Sequence, residues 1–281
     1  MTGLYPYQAG VGWMTADWKK DGYRGQLNDR CLTIAESLRM VGYQSYMVGK
    51  WHLTRNTAGP ADESWPIGRG FDRFFGMLTG AGSFYRPTTL TRDDTPIKAE
   101  GDFYYTDALG SRAVQFIREH GERPKEDPFF LYVAFTAPHW PMHALKEDVA
   151  RYENVYTKGW NAIRNERFER MKKLGLVEPD WKMAEWDKTV PNWETLPAER
   201  QKEMAHKMAV YAAMIDRLDQ NVGKIVKQLE DQQQLDNTLI LFLADNGGCA
   251  EGDLFGFERQ PGGVVGEDSS FASYGRGWAF A

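Results

Sequence analysis

Apolar and polar positions along the chain repeat one order: a helical stretch, a turn, a short apolar run and a polar cluster. The first unit begins near residues 31–41, where Ile34, Leu38 and Val41 recur at helical spacing. Asn28 or Asp29 is the candidate N-cap and Gly42 the stop. Residues 43–48 (YQSYMV) then read as a strand closing on Gly49-Lys50-Trp51-His52. The second unit has a helix over 108–120, capped by Thr106 or Asp107, with Leu109, Ala113, Phe116 and Ile117 inward. Its apolar run, 129–135, reads as a central strand buried on both faces. Ala137-Pro138 stops it, His139 follows at its carboxyl end, and His143 lies four residues on. The third unit is a long amphipathic helix over 198–232, with Met208, Tyr211, Ala212, Ile215, Leu218, Val222, Ile225 and Leu229 on one stripe. It turns at Asn237 into 238–243 (TLILFL), expected as another buried strand, which ends on Ala244-Asp245-Asn246-Gly247-Gly248.

This order predicts an α/β fold with a mostly parallel sheet flanked by helices, its active face at the strand carboxyl ends. A TIM barrel would need about eight such units. Residues 1–28 read as loop with a helical turn near Gln8. Residues 55–103, rich in Gly, Pro, Asp and Arg, read as long loops over the sheet edge, anchored by Phe71, Phe74 and Phe75. The charged, Trp-rich stretch from 144–145 to 197, with a helix near 161–174, reads as an insertion beside the main sheet of a single domain, 1–281. The last 33 residues read as Gly-rich loop.

Composition narrows the classes. Hydrophobic residues make up 42% and charged residues 26% of the 281, the balance of a globular domain large enough for a sizeable core. A net charge of −5 supplies no basic field for nucleic acid. No apolar run approaches the roughly 18 residues of a membrane span. Cys31 and Cys249 make no disulfide framework. The opening MTGLYPYQAGVGWM is dense in Tyr, Trp and Gly, and the carboxyl end lacks a cap or charged tail, so the chain is expected to be truncated at both ends.

The three polar clusters carry the candidate chemistry. On extended backbone Lys50 and His52 would project to one side, an ammonium to neutralise an oxyanion and an imidazole to move a proton, with Trp51 facing the protein. The same pair also occurs in solvated or structural roles. His139, held after a proline, could accept a proton, grip an anion or protonate a leaving oxygen, or it could be a packed histidine beside Trp140. His143 is a candidate for the substrate wall or for packing. Asp245 and Asn246 offer hard oxygen donors suited to Ca²⁺ or Mg²⁺, with Gly247-Gly248 allowing a sharp turn behind them. Asp-Asn-Gly is also an ordinary turn.

Taken in order, the segments TGLYPYQAGVG at 2–12, GYQSYMVGKWHL at 42–53, DPFFLYVAFTAPHWPMHA at 127–144 and the stretch from 211 to ADNGG at 248 resemble the sulfatases of the alkaline-phosphatase-like superfamily. The resemblance implies hydrolysis of a sulfate ester, on a sulfated small molecule or sulfated sugar. A formylglycine made from Cys or Ser in a C/S-x-P-S/A-R tract would attack sulfur, with one Ca²⁺ holding the sulfate. By position Lys50 looks like the lysine that contacts sulfate. His52 looks like the histidine assisting breakdown of the sulfated intermediate, and His139 like the one that protonates the leaving alcohol. Asp245 and Asn246 look like two of four protein metal ligands. Neither Cys31 nor Cys249 is followed by x-P-x-R, so the formylglycine is expected upstream of Met1, together with an acidic metal-ligand pair. The resemblance also implies a periplasmic or secreted setting. Two other readings stand beside it: a phosphatase or phosphodiesterase of the same superfamily, and a nucleophile-less relic that binds sulfated ligands.

Overall fold

A computed structural model describes residues 1–124 and 127–280. They fall into two compact units, one of 1–137 with 218–240, the other of 138–217 with the residues from Leu241 on.

The first unit is built on a five-stranded mixed sheet. Its strands are β1 (Gln44–Lys50), β2 (Arg73–Met77), β3 (Leu90–Arg92), β4 (Thr95–Pro96) and β5 (Phe129–Ala134), in the order β4-β3-β2-β1-β5. β1 pairs in parallel with β2 and β5, and β3 and β4 add an antiparallel hairpin at the β2 side. Helices α1 (Ile34–Arg39) and α2 (Tyr105–His120) pack against the parallel part. The predicted parallel α/β core is therefore present. Phe71, Phe74, Met47 and Trp51 lie in one buried cluster with Trp65 and Leu78. Burying each such side chain contributes roughly 1.5–3 kcal/mol.

Helix α1 starts later than Asn28 or Asp29 suggested. Thr33 is its N-cap: Glu36 N–H donates to Thr33 Oγ1 (3.0 Å) and Thr33 N–H donates to the Glu36 carboxylate (2.6 Å). This capping box satisfies two otherwise orphaned donors. Arg69, buried, locks the box in place by donating to Glu36 Oε1 (2.9 Å) and to the Cys31 carbonyl (2.7 Å). Helix α2 is also capped differently, at Tyr104, with no side-chain bond. Its predicted inward face is buried.

Three further expectations are corrected. Residues 55–103 are not all loop: Phe74 and Phe75 belong to β2, a run of five residues with its last four buried, and β3 and β4 follow. Among the described residues β5 is an edge strand, not a central one, and no position in it is fully buried; Tyr132 is 38% exposed. An apolar run shows that a strand can be buried, not that a partner lies on each side. Residues 238–243 form no strand, and Leu239, Leu241, Phe242 and Leu243 are 84, 76, 76 and 72% exposed. A strand exists only through ladder bonds, and among the described residues none pairs with this run, so β-propensity alone does not order it.

In the second unit α4 (Gly159–Lys173) covers the helix expected near 161–174; α3 (Lys146–Val149) and α6 (Arg276–Ala279) are short. Trp160, Trp193 and Trp278 pack mutually at 5.0–5.8 Å. Two of their indole N–H groups are satisfied by backbone, Trp160 on Pro191 O (3.0 Å) and Trp278 on Met204 O (2.9 Å). Stretch 145–197 and the Gly-rich carboxyl loop thus share a core of their own. The long helix α5 (Ala198–Asp231) runs from this unit into the first, the division falling at Arg217–Leu218.

Candidate functional site

Lys50 and His52 belong to the first unit, at the carboxyl end of β1. Gly49, at φ +113°, lies beside Ala134 and Gly76 in the ladder. A Cβ there would stand 2.0 Å from the Ala134 carbonyl oxygen, so only glycine lets β5 approach β1 this closely. Lys50 is the last strand residue, half-buried, in register with Met77. Trp51 faces the protein as expected: it is buried, its Nε1 donates to Ser64 O (2.8 Å), and it meets Phe71 edge-on.

His52 does not continue the extended alternation. Its N–H still donates to Leu78 O (3.1 Å), but its φ is +54°. A non-glycine residue held there stores about 1–3 kcal/mol of strain. The two-residue periodicity that put Lys50 and His52 on one side therefore stops at Lys50. Gly80 leaves room for the imidazole: a Cβ on that glycine would lie 2.2 Å from His52 Cε1 and 2.5 Å from both ring nitrogens. The ring thus packs flat against bare backbone. Gly80 carried no signal in the sequence, because Thr79-Gly80-Ala81-Gly82 reads as undistinguished loop.

His139, His143, Asp245 and Asn246 belong to the second unit. His139 Nδ1 is 2.7 Å from the Trp140 carbonyl, which can only accept, so Nδ1 carries the proton. In the neutral ring Nε2 is then the basic nitrogen, and in the cation it is a donor. The imidazole lies against Trp140 at 5.0 Å, and Trp140 is fixed by donation from Nε1 to Glu251 Oε2 (2.7 Å). Phe257 meets Trp140 edge-on at 5.2 Å, and the Arg259 guanidinium lies over both rings, at 4.4 and 4.8 Å. Glu251, Phe257 and Arg259 are not legible in the sequence as the surroundings of Trp140, since they lie more than a hundred positions away in aperiodic loop.

His143 has no exposed surface. Its Nε2 donates to Ser270 O (2.7 Å) and its ring meets Phe271 edge-on. Burial holds its pKa below the ordinary 6.5, against the opposing pull of the Ser270 carbonyl.

Asp245 and Asn246 lie on exposed coil, and the Asn246 amide donates to Gly247 O (2.8 Å). Gly247 and Gly248 make no left-handed turn. The donors are of the right kind for a hard cation, but two oxygens are far short of the six to eight that calcium takes. Among the described residues no three acidic, His or Cys side chains gather as a metal site, so the set present does not fit a complete calcium centre. Cys31 and Cys249 are both free thiols. No helix among the described residues is long and apolar enough to cross a membrane.

A family model described as Sulfatase matches residues 1–273. The arylsulfatase of Klebsiella aerogenes is 35% identical, across 99% of this chain and 63% of its own length. An uncharacterized sulfatase of Schizosaccharomyces pombe is 33% identical, across 84% of this chain and 44% of its own. The crystal structure of Ps i-CgsB in complex with k-i-k-neocarrahexaose aligns with a TM-score of 0.60 and 26% identity, across 88% of this chain and 46% of that one. The chain spans less than two thirds of the length of these relatives.

Proposed function

The chain belongs to the sulfatase family, and we propose from that premise that it supplies the sulfate-binding and proton-transfer residues of a sulfuric ester hydrolase acting on a sulfated sugar. Residues 1–281 are read as one catalytic domain, in a periplasmic or secreted protein.

The observation that carries this reading is His139. Its proton is pinned on Nδ1 by Trp140 O, which leaves Nε2 as the single nitrogen that changes protonation. A ring so held can donate from Nε2 to the bridging ester oxygen as the S–O bond breaks, and so stabilise the departing alcohol. Lys50 is assigned to charge neutralisation of the sulfate, and His52 to proton transfer during breakdown of the sulfated intermediate. His143, being buried and bonded to backbone, is assigned to holding the wall from behind rather than to touching substrate. Asp245 and Asn246 are proposed as two ligands of a Ca²⁺ whose remaining donors are not gathered here; no step is derived through it. A formylglycine would supply the attacking oxygen, and no Cys or Ser of this sequence is followed by x-P-S/A-R. The sugar assignment draws support from the neighbour solved with an oligosaccharide.

A second reading is a domain that binds sulfated ligands without turnover. The test joins these residues to a C/S-x-P-S/A-R tract in an active sulfatase and introduces His139→Ala. Turnover of an alkyl sulfate is expected to fall by roughly 10²-fold, and that of a nitrophenyl sulfate, whose leaving group needs no proton, by less. Equal rates for variant and parent would remove His139 from the mechanism. The 281 residues alone are expected to leave both esters intact; turnover above a denatured control would place the nucleophile within them.

A further inference from the structure

We propose that Arg259 is a second anion-binding position beside His139, selecting sugars that carry a further anionic group. The inference rests on the reading of His139 as a sulfate-site residue.

Arg259 is exposed, yet it is not loose. Its guanidinium lies over the rings of Trp140 and Phe257, which meet at 81° and form a corner. Stacking on two rings fixes the guanidinium plane and lowers the entropy lost when its N–H groups engage a ligand. The backbone is held too: Arg259 N–H donates to Phe271 O (3.3 Å), and the neighbouring Glu258 carboxylate accepts from Phe271 N–H (2.7 Å) and Gln260 N–H (2.7 Å). In a chain of net charge −5, Arg259 has no carboxylate partner among the described residues. Glu251 is engaged at the edge of the indole, on Nε1.

The geometry selects the ligand class. The guanidinium occupies a face of Trp140, so a sugar ring has no bare indole to stack on there. It meets instead the edge of a planar fork of donors, which matches sulfate or carboxylate oxygens in pairs. His139 packs on the same indole. A sulfate being cleaved at His139 and a second anionic group at Arg259 would therefore be neighbours, on one sugar or on adjacent ones.

Calorimetric titration of the 281-residue chain with three probes tests this: an unsulfated disaccharide, its monosulfated form and its disulfated form. The disulfated form is expected to bind about tenfold tighter than the monosulfated one. Arg259→Met, which keeps the apolar stem over the rings, is expected to erase that preference, and Arg259→Lys to retain part of it. An unchanged melting temperature shows that the variants fold. A preference that survives in Arg259→Met, or no preference in the parent, overturns the role of Arg259 while leaving the sulfate site intact. Failure of either sulfated form to bind better than the unsulfated one overturns both.

Discussion

Two histidines show how much a single residue's setting decides. His52 lies against Gly80, whose missing side chain leaves room for the imidazole. Gly80→Ala would push a methyl group into the ring, so the ring must rotate. With these residues joined to a C/S-x-P-S/A-R tract, this is expected to lower turnover by about 10²-fold, because the role proposed for His52 does not tolerate a displaced ring. In the chain alone, the His52 ring resonances in a carbon–proton correlation spectrum should move while the melting temperature falls only slightly. Unmoved resonances would show that the ring tolerates the methyl. His143 is the opposite case, a buried neutral ring. Its folded pKa lies below the ordinary 6.5, so on acidification the unfolded chain takes up a proton before the folded one does. Its contribution to stability is complete above 6.5 and is lost as pH falls through that value toward the folded pKa. The melting temperature is expected to drop between about pH 7.5 and pH 5.5, and to drop less in His143→Gln. An equal slope in both proteins would assign the effect to other groups.

At the scale of elements, local patterns are written along the chain and strand pairings are not. Helices α2 and α5 lie where their apolar periodicity puts them, and α4, β1 and β5 lie near the stretches expected for them. The capping box at Thr33 and Glu36 is written in the sequence as T-x-x-E, and it, not Asn28 or Asp29, starts α1. Residues 238–243 have as strong a β signal as β5, yet they stay exposed, because the ladder partner is a tertiary matter. Six residues with no charge, Gly or Pro, and separately an edge strand equally free of charge, are association hazards. At tens of micromolar the chain is expected to scatter light above the monomer mass, and Phe242→Lys to lower that mass. A parent that is monomeric throughout would show that the segment is silent.

For the molecule as a whole, the order of helix, apolar run and polar cluster determined the α/β class, the parallel core and the positions of Lys50, His52 and His139 relative to their strands. These follow from local propensity and from burial, both written in spacing along the chain. The structure decided what depends on contact between distant segments. It made β5 an edge, left 238–243 unpaired, turned His52 out of the extended register onto Gly80, buried His143, and stacked Arg259 on Trp140. Each of these is set by which groups meet across long loops. A side chain's chemistry is carried by its own residue, but its partners, its exposure and its proton are fixed only by what folds against it.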